Sequence, residues 1–322
     1  MCQSVAMTSD PSAPVCVLGT GLIGGSLLRA AVSAGYTGFG YNRSEPGAAA
    51  ARADGFDVSG DLPGVLRRAA STDALLVLGV PMPAIDHLLA EIATFAPGCA
   101  LTDVVSVKGP VLDAVREHGL DRRYVGGHPM AGTARSGWDA TDADLFRDAV
   151  WAIGVDEGTH AETWLRVARL ALDCGSVLVP VRAEEHDGAV ARISHLPHVF
   201  AEALAAAGTA GGPLALGLAA GSFRDGTRVA GSAPDLVRAI CEPNAAALLR
   251  VLDESLAALT AARDSLRADG TLGPLVDAGY SGRVDFEDRQ RAEITGIAPG
   301  EHDWLDRYAE AGRAGGVITT LP

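Results

Sequence analysis

The stretch VCVLGTGLIGGS at residues 15–26 constrains the fold more than any other part of the chain. An apolar run leads through Gly19, Gly21 and Gly24, spaced as G-x-G-x-x-G, into a helical pattern over 22–34. Each glycine has its own reason. Gly19 permits a tight turn, Gly21 lets a pyrophosphate approach the backbone, and Gly24 allows the helix to lie close on its strand. The helix start, at Leu22 and Ile23, supplies N–H groups and positive potential to the phosphates. A glycine-rich turn without a ligand is the alternative. The position of the motif, after an N-terminal strand and ahead of further α/β units, favours dinucleotide binding.

Apolar runs at 15–19, 38–41, 74–80, 100–104, 124–127, 150–155 and 177–180 alternate with helical patterns at 22–34, 48–53, 62–69, 83–95, 109–117 and 160–173. This alternation predicts a mainly parallel sheet covered by helices. DALLVLGV, residues 73–80, is apolar on both faces, as a central strand would be. After Pro180 strand patterns nearly vanish. Residues 184–207, 211–220 and 234–268 read as helices, and Ser232-Ala-Pro-Asp235 as a capped helix start. The expectation is an α/β Rossmann-type N-terminal domain over 15–180, followed by an all-α C-terminal domain over 181–322. Residues 1–14 read as a disordered tail, and the glycine-rich segment 270–322 has no readable pattern.

Of the 322 residues, 48% are hydrophobic and 20% charged, as in an ordinary soluble globular protein. The net charge of −14 argues against nonspecific binding to nucleic acid or an anionic membrane. The partner expected is a small molecule. Five scattered cysteines without a C-x-x-C pair suit neither a zinc knuckle nor a redox pair and fit a reducing cytoplasm. Residues 1–14 lack a signal-peptide pattern, and no apolar run approaches a membrane span. The expected location is cytoplasmic.

The second apolar run ends in FGYNRSEPG, residues 39–47. Asn42 stands where an acid usually holds the ribose of NAD, and Arg43 and Ser44 follow. A neutral Asn42 with a guanidinium beside it suits a 2′-phosphate, so the expected cofactor is NADP or NAD, with NADP favoured. A solvated Arg43 is the other reading, and Glu45 weighs toward it. Val80, Pro81 and Asp103, near the ends of later strands, are assigned to the cofactor as well.

VGGHPMAG, residues 125–132, places His128 after two glycines and before a proline. Pro129 holds His128 extended, while Gly126 and Gly127 leave room beside it. Neutral histidine suits a group that accepts a hydroxyl proton, and His128 ends the predicted strand 124–127. TDVVSVKG, residues 102–109, puts Ser106 and Lys108 on a loop at the same edge. Ser106 is either an ordinary turn serine or a partner of the reacting oxygen. Lys108 reads as a helix start whose stem can pack while its head meets solvent or a phosphate. Arg228 can grip a carboxylate or pair with Asp225. His195 and His198 flank Pro197, which kinks a helix and can aim one of them into a cleft. No third ligand at useful spacing accompanies them, so no metal is expected.

Five blocks occur in order: GTGLIGGS (19–26), TDVVSVKG (102–109), GGHPMAGTARSGW (126–138), EHDGAVARISHLPH (185–198) and GSFRDGTRVAGSAPDLVRAI (221–240). Over residues 15–260 the chain resembles the prephenate and arogenate dehydrogenase family of tyrosine biosynthesis, most of all its actinobacterial members. The resemblance implies NAD(P)-dependent oxidative decarboxylation of a ring dicarboxylate. It implies His128 as general base and Ser106 as hydrogen-bond partner of the hydroxyl and the histidine. It also implies Arg228, His195 and Thr133 as substrate-binding residues, and a homodimer through a helical domain that closes over the cofactor domain. Two departures leave prephenate and arogenate open as substrates: Ala134 and Arg135 where many members have an acid, and Val237 where many have tryptophan. An amino analogue of prephenate, or an NADP-binding sensor without catalysis, are the alternatives.

Overall fold

The computed structural model describes residues 13–133 and 135–322. The predicted tail lies outside the described residues except for its last two, and Pro14 O already accepts a hydrogen bond from Leu75 N.

Six strands form a parallel sheet in the order β3-β2-β1-β4-β5-β6: β1 (Val15–Leu18), β2 (Gly38–Tyr41), β3 (Val58–Ser59), β4 (Leu75–Leu78), β5 (Leu101–Asp103) and β6 (Tyr124–Val125). β1 and β4 are buried along their whole length, which explains their unbroken apolar sequences. Alternate residues face opposite layers. Val15, Val17, Leu75 and Val77 meet Leu27 and Leu28 of α1 (Leu22–Ser33), while Cys16, Leu18, Leu76 and Leu78 meet Leu66 and Leu89. Each such leucine stabilises the fold by about 1.5–3 kcal/mol. The chain leaves β1 toward β2 and later returns to its other side with β4. That reversal opens a crevice at the carboxyl ends of β1 and β4.

The predicted strand 124–127 is in fact two strands in two sheets. β6 ends at Val125, and β7 (Gly127–Pro129) joins a second sheet with β8 (Val150–Gly154) and β9 (Val177–Val181). β7 is antiparallel to β8, and β8 is parallel to β9. The paired glycines allow the crossing. A Cβ on Gly127 would come within 2.5 Å of Asp103 O and 2.9 Å of Trp151 Nε1.

Two compact units divide the chain at Ala183/Glu184, and Glu293–Pro322 belongs to the first of them. The expected assignment of all of 181–322 to the helical domain is therefore corrected for its last thirty residues. Buried aromatic packing drives the return. Trp304 and Tyr308, on the helix Trp304–Arg313, lie 5.7 and 5.0 Å from Trp164, centroid to centroid, and Ile318 bridges Leu178. The second unit is helical. One long run passes through a π-helical turn, Ala191–His195, into Leu196–Ala210, and Ala245–Asp269 packs against it through Ala247, Val251 and Ala191. Helix Pro234–Cys241 starts at the predicted place. Its N-cap is Ala233, with no side-chain cap bond, so Ser232 does not cap it.

Candidate active site

The glycine loop after β1 has the geometry its spacing predicts. Gly19 sits at φ +107°, and a Cβ there would meet Gly79 O and Val80 Cγ1 at 2.6 Å. A Cβ on Gly24 would approach Gly19 O to 2.0 Å, so the helix can lie this close only without one. Gly21 is the exception: no atom lies within 4 Å of where its Cβ would stand. Gly21 is also the N-cap of α1 and carries no side-chain cap. The N–H groups of Leu22, Ile23 and Gly24 therefore have no helical acceptor and open beside unfilled space, which fits a dinucleotide pyrophosphate. Val80 is half-buried and Pro81 exposed, on the loop after β4.

After β2, Asn42 Nδ2 donates to Thr20 Oγ1 at 2.9 Å, and Asn42 Oδ1 accepts from Ser44 N at 2.9 Å. Asn42 thus ties this turn to the glycine loop. Ser44 caps the next helix through Gly47 N, and Glu45 pairs with Arg52. Arg43 is exposed and has no ion pair among the described residues, so the nearby acid does not hold it.

Asp103 departs from expectation. It is wholly buried at the end of β5, and its carboxylate accepts from Val105 N (2.7 Å), Tyr124 Oη (2.6 Å), Gly127 N (3.3 Å) and the Lys108 ammonium. So engaged, it is a structural anchor and not a cofactor contact. Lys108 begins the next helix, as its N-cap, in line with the sequence reading, but its head does not reach solvent: the side chain is 4% exposed, and Nζ also donates to Gly127 O at 2.5 Å. Sequence reasoning missed this pair. Its signal was an acid ending an apolar strand with a lysine five residues on.

Gly127 is thus clasped at both N–H and C=O by this buried pair, and Met130 N donates to Val150 O at 2.7 Å. His128 stands between, opposite Ala152 in the middle of β7, with its side chain half-exposed. Its place is inside a strand of the second sheet, not beyond the end of a parallel strand as expected. Ser106 is half-buried and its hydroxyl has no hydrogen-bond partner among the described residues. The expected Ser106–His128 bond is therefore not present; such bonds commonly tighten only around a substrate. Thr133 is exposed and accepts from Arg135 N at 3.2 Å, while Ala134 lies outside the described residues.

In the helical unit, His195 is 1% exposed at the end of the π turn. Desolvation pushes its pKa down to about 4, so the imidazole is neutral near neutrality. Asn244 Nδ2 lies 3.1 Å from its Nδ1. His198 Nδ1 bonds Ser194 O at 2.9 Å, along its own helix. Arg228 is exposed, and no ion pair with Asp225 forms. Among the described residues no group of three or more His, Cys, Asp or Glu is placed to hold a metal, and no helix is long and apolar enough to cross a membrane. Cys16, Cys99, Cys174 and Cys241 are buried and unpaired, with thiol pKa values raised by burial.

The model of the prephenate dehydrogenase nucleotide-binding domain matches residues 28–180, and that of the prephenate dehydrogenase dimerization domain matches residues 182–273. A cyclohexadienyl dehydrogenase of Zymomonas mobilis is 35% identical over 264 residues, covering 78% of this chain and 88% of the relative. A crystal structure of a Corynebacterium glutamicum protein, assigned as a prephenate dehydrogenase, is 49% identical with TM-score 0.91 over 95% of this chain and 98% of its own. The Aquifex aeolicus prephenate dehydrogenase, solved with hydroxyphenyl propionate and NAD+, is 23% identical with TM-score 0.77 over 85% of this chain and 98% of its own, and shares the fold.

Proposed function

This chain belongs to the prephenate dehydrogenase family, and on that premise we propose that it oxidises and decarboxylates prephenate or arogenate in tyrosine biosynthesis. The observation that carries this reading is positional. The loops after β1, β4, β5 and β6 stand side by side along the carboxyl edge of one parallel sheet. They bring together the open glycine loop, Val80, Ser106 and the clasped strand that bears His128. A dinucleotide held by the loop of Gly19, Gly21 and Gly24 would supply the acceptor for the hydride of ring carbon C4. The neutral His128 imidazole accepts the proton of the C4 hydroxyl, and Ser106 Oγ hydrogen-bonds the same oxygen. The C1 carboxylate leaves as CO2, its bonding electrons completing the aromatic ring. Arg228 holds a substrate carboxylate through two parallel hydrogen bonds, supplying locally the positive charge that the chain as a whole lacks. Thr133 and His195 complete the substrate contacts.

A spectrophotometric assay crossing prephenate and arogenate with NAD+ and NADP+ tests the reading. Reduced cofactor is expected with at least one pair, and no reduction with any pair overturns it. Within that assay NADP+ is the expected preference, because Arg43 is exposed, without an ion pair among the described residues, and next in sequence to Ser44. Arg43→Ala is expected to raise the KM for NADP+ by roughly 10–100-fold, as for a lost charge-assisted bond, and to leave that for NAD+ unchanged. Equal effects on both cofactors would place the 2′-phosphate elsewhere.

The second unit carries Ile193, Leu214, Leu218 and Leu249 more than half exposed. Apolar side chains left open in this number mark an interaction surface, which we assign to a homodimer formed through the helical unit. The buried, unpaired thiols of Cys16, Cys99, Cys174 and Cys241 suit a reducing compartment, and a cytoplasmic enzyme is the location this reading takes.

A further inference from the structure

Asn244 follows helix Pro234–Cys241 and precedes Ala245–Asp269, and it is 5% exposed. Its Nδ2 has two hydrogens and two neighbours: the carbonyl oxygen of Asp187 at 2.8 Å and Nδ1 of His195 at 3.1 Å. The carbonyl can only accept. Turning the amide over would set Oδ1 against that oxygen, two acceptors facing each other in a buried place, so the nitrogen must point this way. The second hydrogen then points at His195 Nδ1, which must receive it with a lone pair. A neutral imidazole with Nδ1 as acceptor carries its own hydrogen on Nε2. His195 Nε2 has no partner among the described residues.

We infer that Asn244 is a positioning residue that locks His195 in the Nε2–H tautomer and so makes it a neutral hydrogen-bond donor to an acceptor oxygen of the substrate. The substrate half of this inference rests on the reading of His195 as a substrate contact; the tautomer half stands on the amide geometry alone. The surroundings keep the ring neutral. Burial is the largest influence and disfavours the imidazolium, His198 and His186 add to it, and Asp187 opposes it. Asp187 is turned partly to another partner, since its Oδ1 lies 2.8 Å from His186 Nδ1. The π turn Ala191–His195 fits the same purpose, because such turns reorient a side chain at a functional position and Pro197 prevents regular helical bonding just beyond it.

The test is a two-bond 1H–15N correlation spectrum of the full chain with 15N-labelled histidine, with the His195 signals assigned by their loss in His195→Gln. The wild type is expected to show the Nε2–H pattern without titration from about pH 5.5 to 8. An Nδ1–H pattern, or a charged ring at neutral pH, overturns the inference. Asn244→Asp replaces the donor with an acceptor. It is expected to abolish the Nε2–H pattern and to raise the substrate KM roughly tenfold, as for one lost hydrogen bond, with kcat changed much less. If the tautomer changes and KM does not, the tautomer assignment holds and the substrate role of His195 fails. If Asn244→Asp does not fold, the wild-type spectrum still decides the tautomer.

Discussion

His128→Asn is expected to lower kcat by roughly 10²–10⁴-fold, the range of a lost general base, with melting temperature and cofactor affinity unchanged. Asparagine keeps a polar side chain of similar reach but cannot take a proton near neutral pH. The strand is held by main-chain bonds that the substitution leaves alone: Gly127 N to Asp103, Gly127 O to Lys108, and Met130 N to Val150 O. The half-exposed ring is not part of the core. The measurement is steady-state turnover at saturating substrate and cofactor, beside a thermal melt. Turnover close to wild type in a folded variant would remove His128 from the chemistry.

The largest effect on stability is expected at Asp103. Its carboxylate is wholly buried against an ammonium that is 4% exposed. Asp103→Ala leaves that charge without its partner and strips an acceptor from Tyr124 Oη and from the Gly127 and Val105 N–H groups. The cost expected is about 3–5 kcal/mol, read from urea denaturation. Replacing both partners, as in Asp103→Leu with Lys108→Met, removes the stranded charge and should cost less than Asp103→Ala alone. A single variant within about 0.5 kcal/mol of wild type, the usual range for a surface site, would contradict the buried-pair account. The two substitutions also separate chemistry from support. His128→Asn changes rate without stability, whereas Asp103→Ala changes stability first and rate through the loosened strand.

The parallel sheet was legible because its signals are local. A glycine loop follows β1, β4 is apolar throughout, and helix starts and stops fall where periodicity changes. The glycine triplet was legible to the atom: Gly19 by its φ, Gly24 by its contact and Gly21 by its open face. What escaped notice depends on distant partners. The passage from β6 to β7 has no local mark beyond Gly126 and Gly127, because the residue that requires it, Asp103, lies on another strand. The return of Glu293–Pro322 to the first unit depends on Trp164, more than a hundred residues earlier, while its own glycines conceal any periodicity. The two-residue strand β3 is too short to carry an alternation. Asp103 reads as a cofactor contact in sequence and Lys108 as a helix start with an outward head, and only their burial shows them to be a pair. Asn244 is a single amide between two helices, and its meaning comes from His195, 49 positions away.

The central claim is that the clasped strand β7 presents His128 to the oxygen of the reacting ring at the edge that holds the cofactor. A crystal structure of this chain with oxidised cofactor and an aromatic product analogue tests it most directly. The account predicts the pyrophosphate on the first turn of α1 beside Gly21, and the phenolic oxygen within hydrogen-bond reach, about 2.6–3.2 Å, of the His128 ring. An imidazole turned from the analogue, with another side chain on that oxygen, would contradict it.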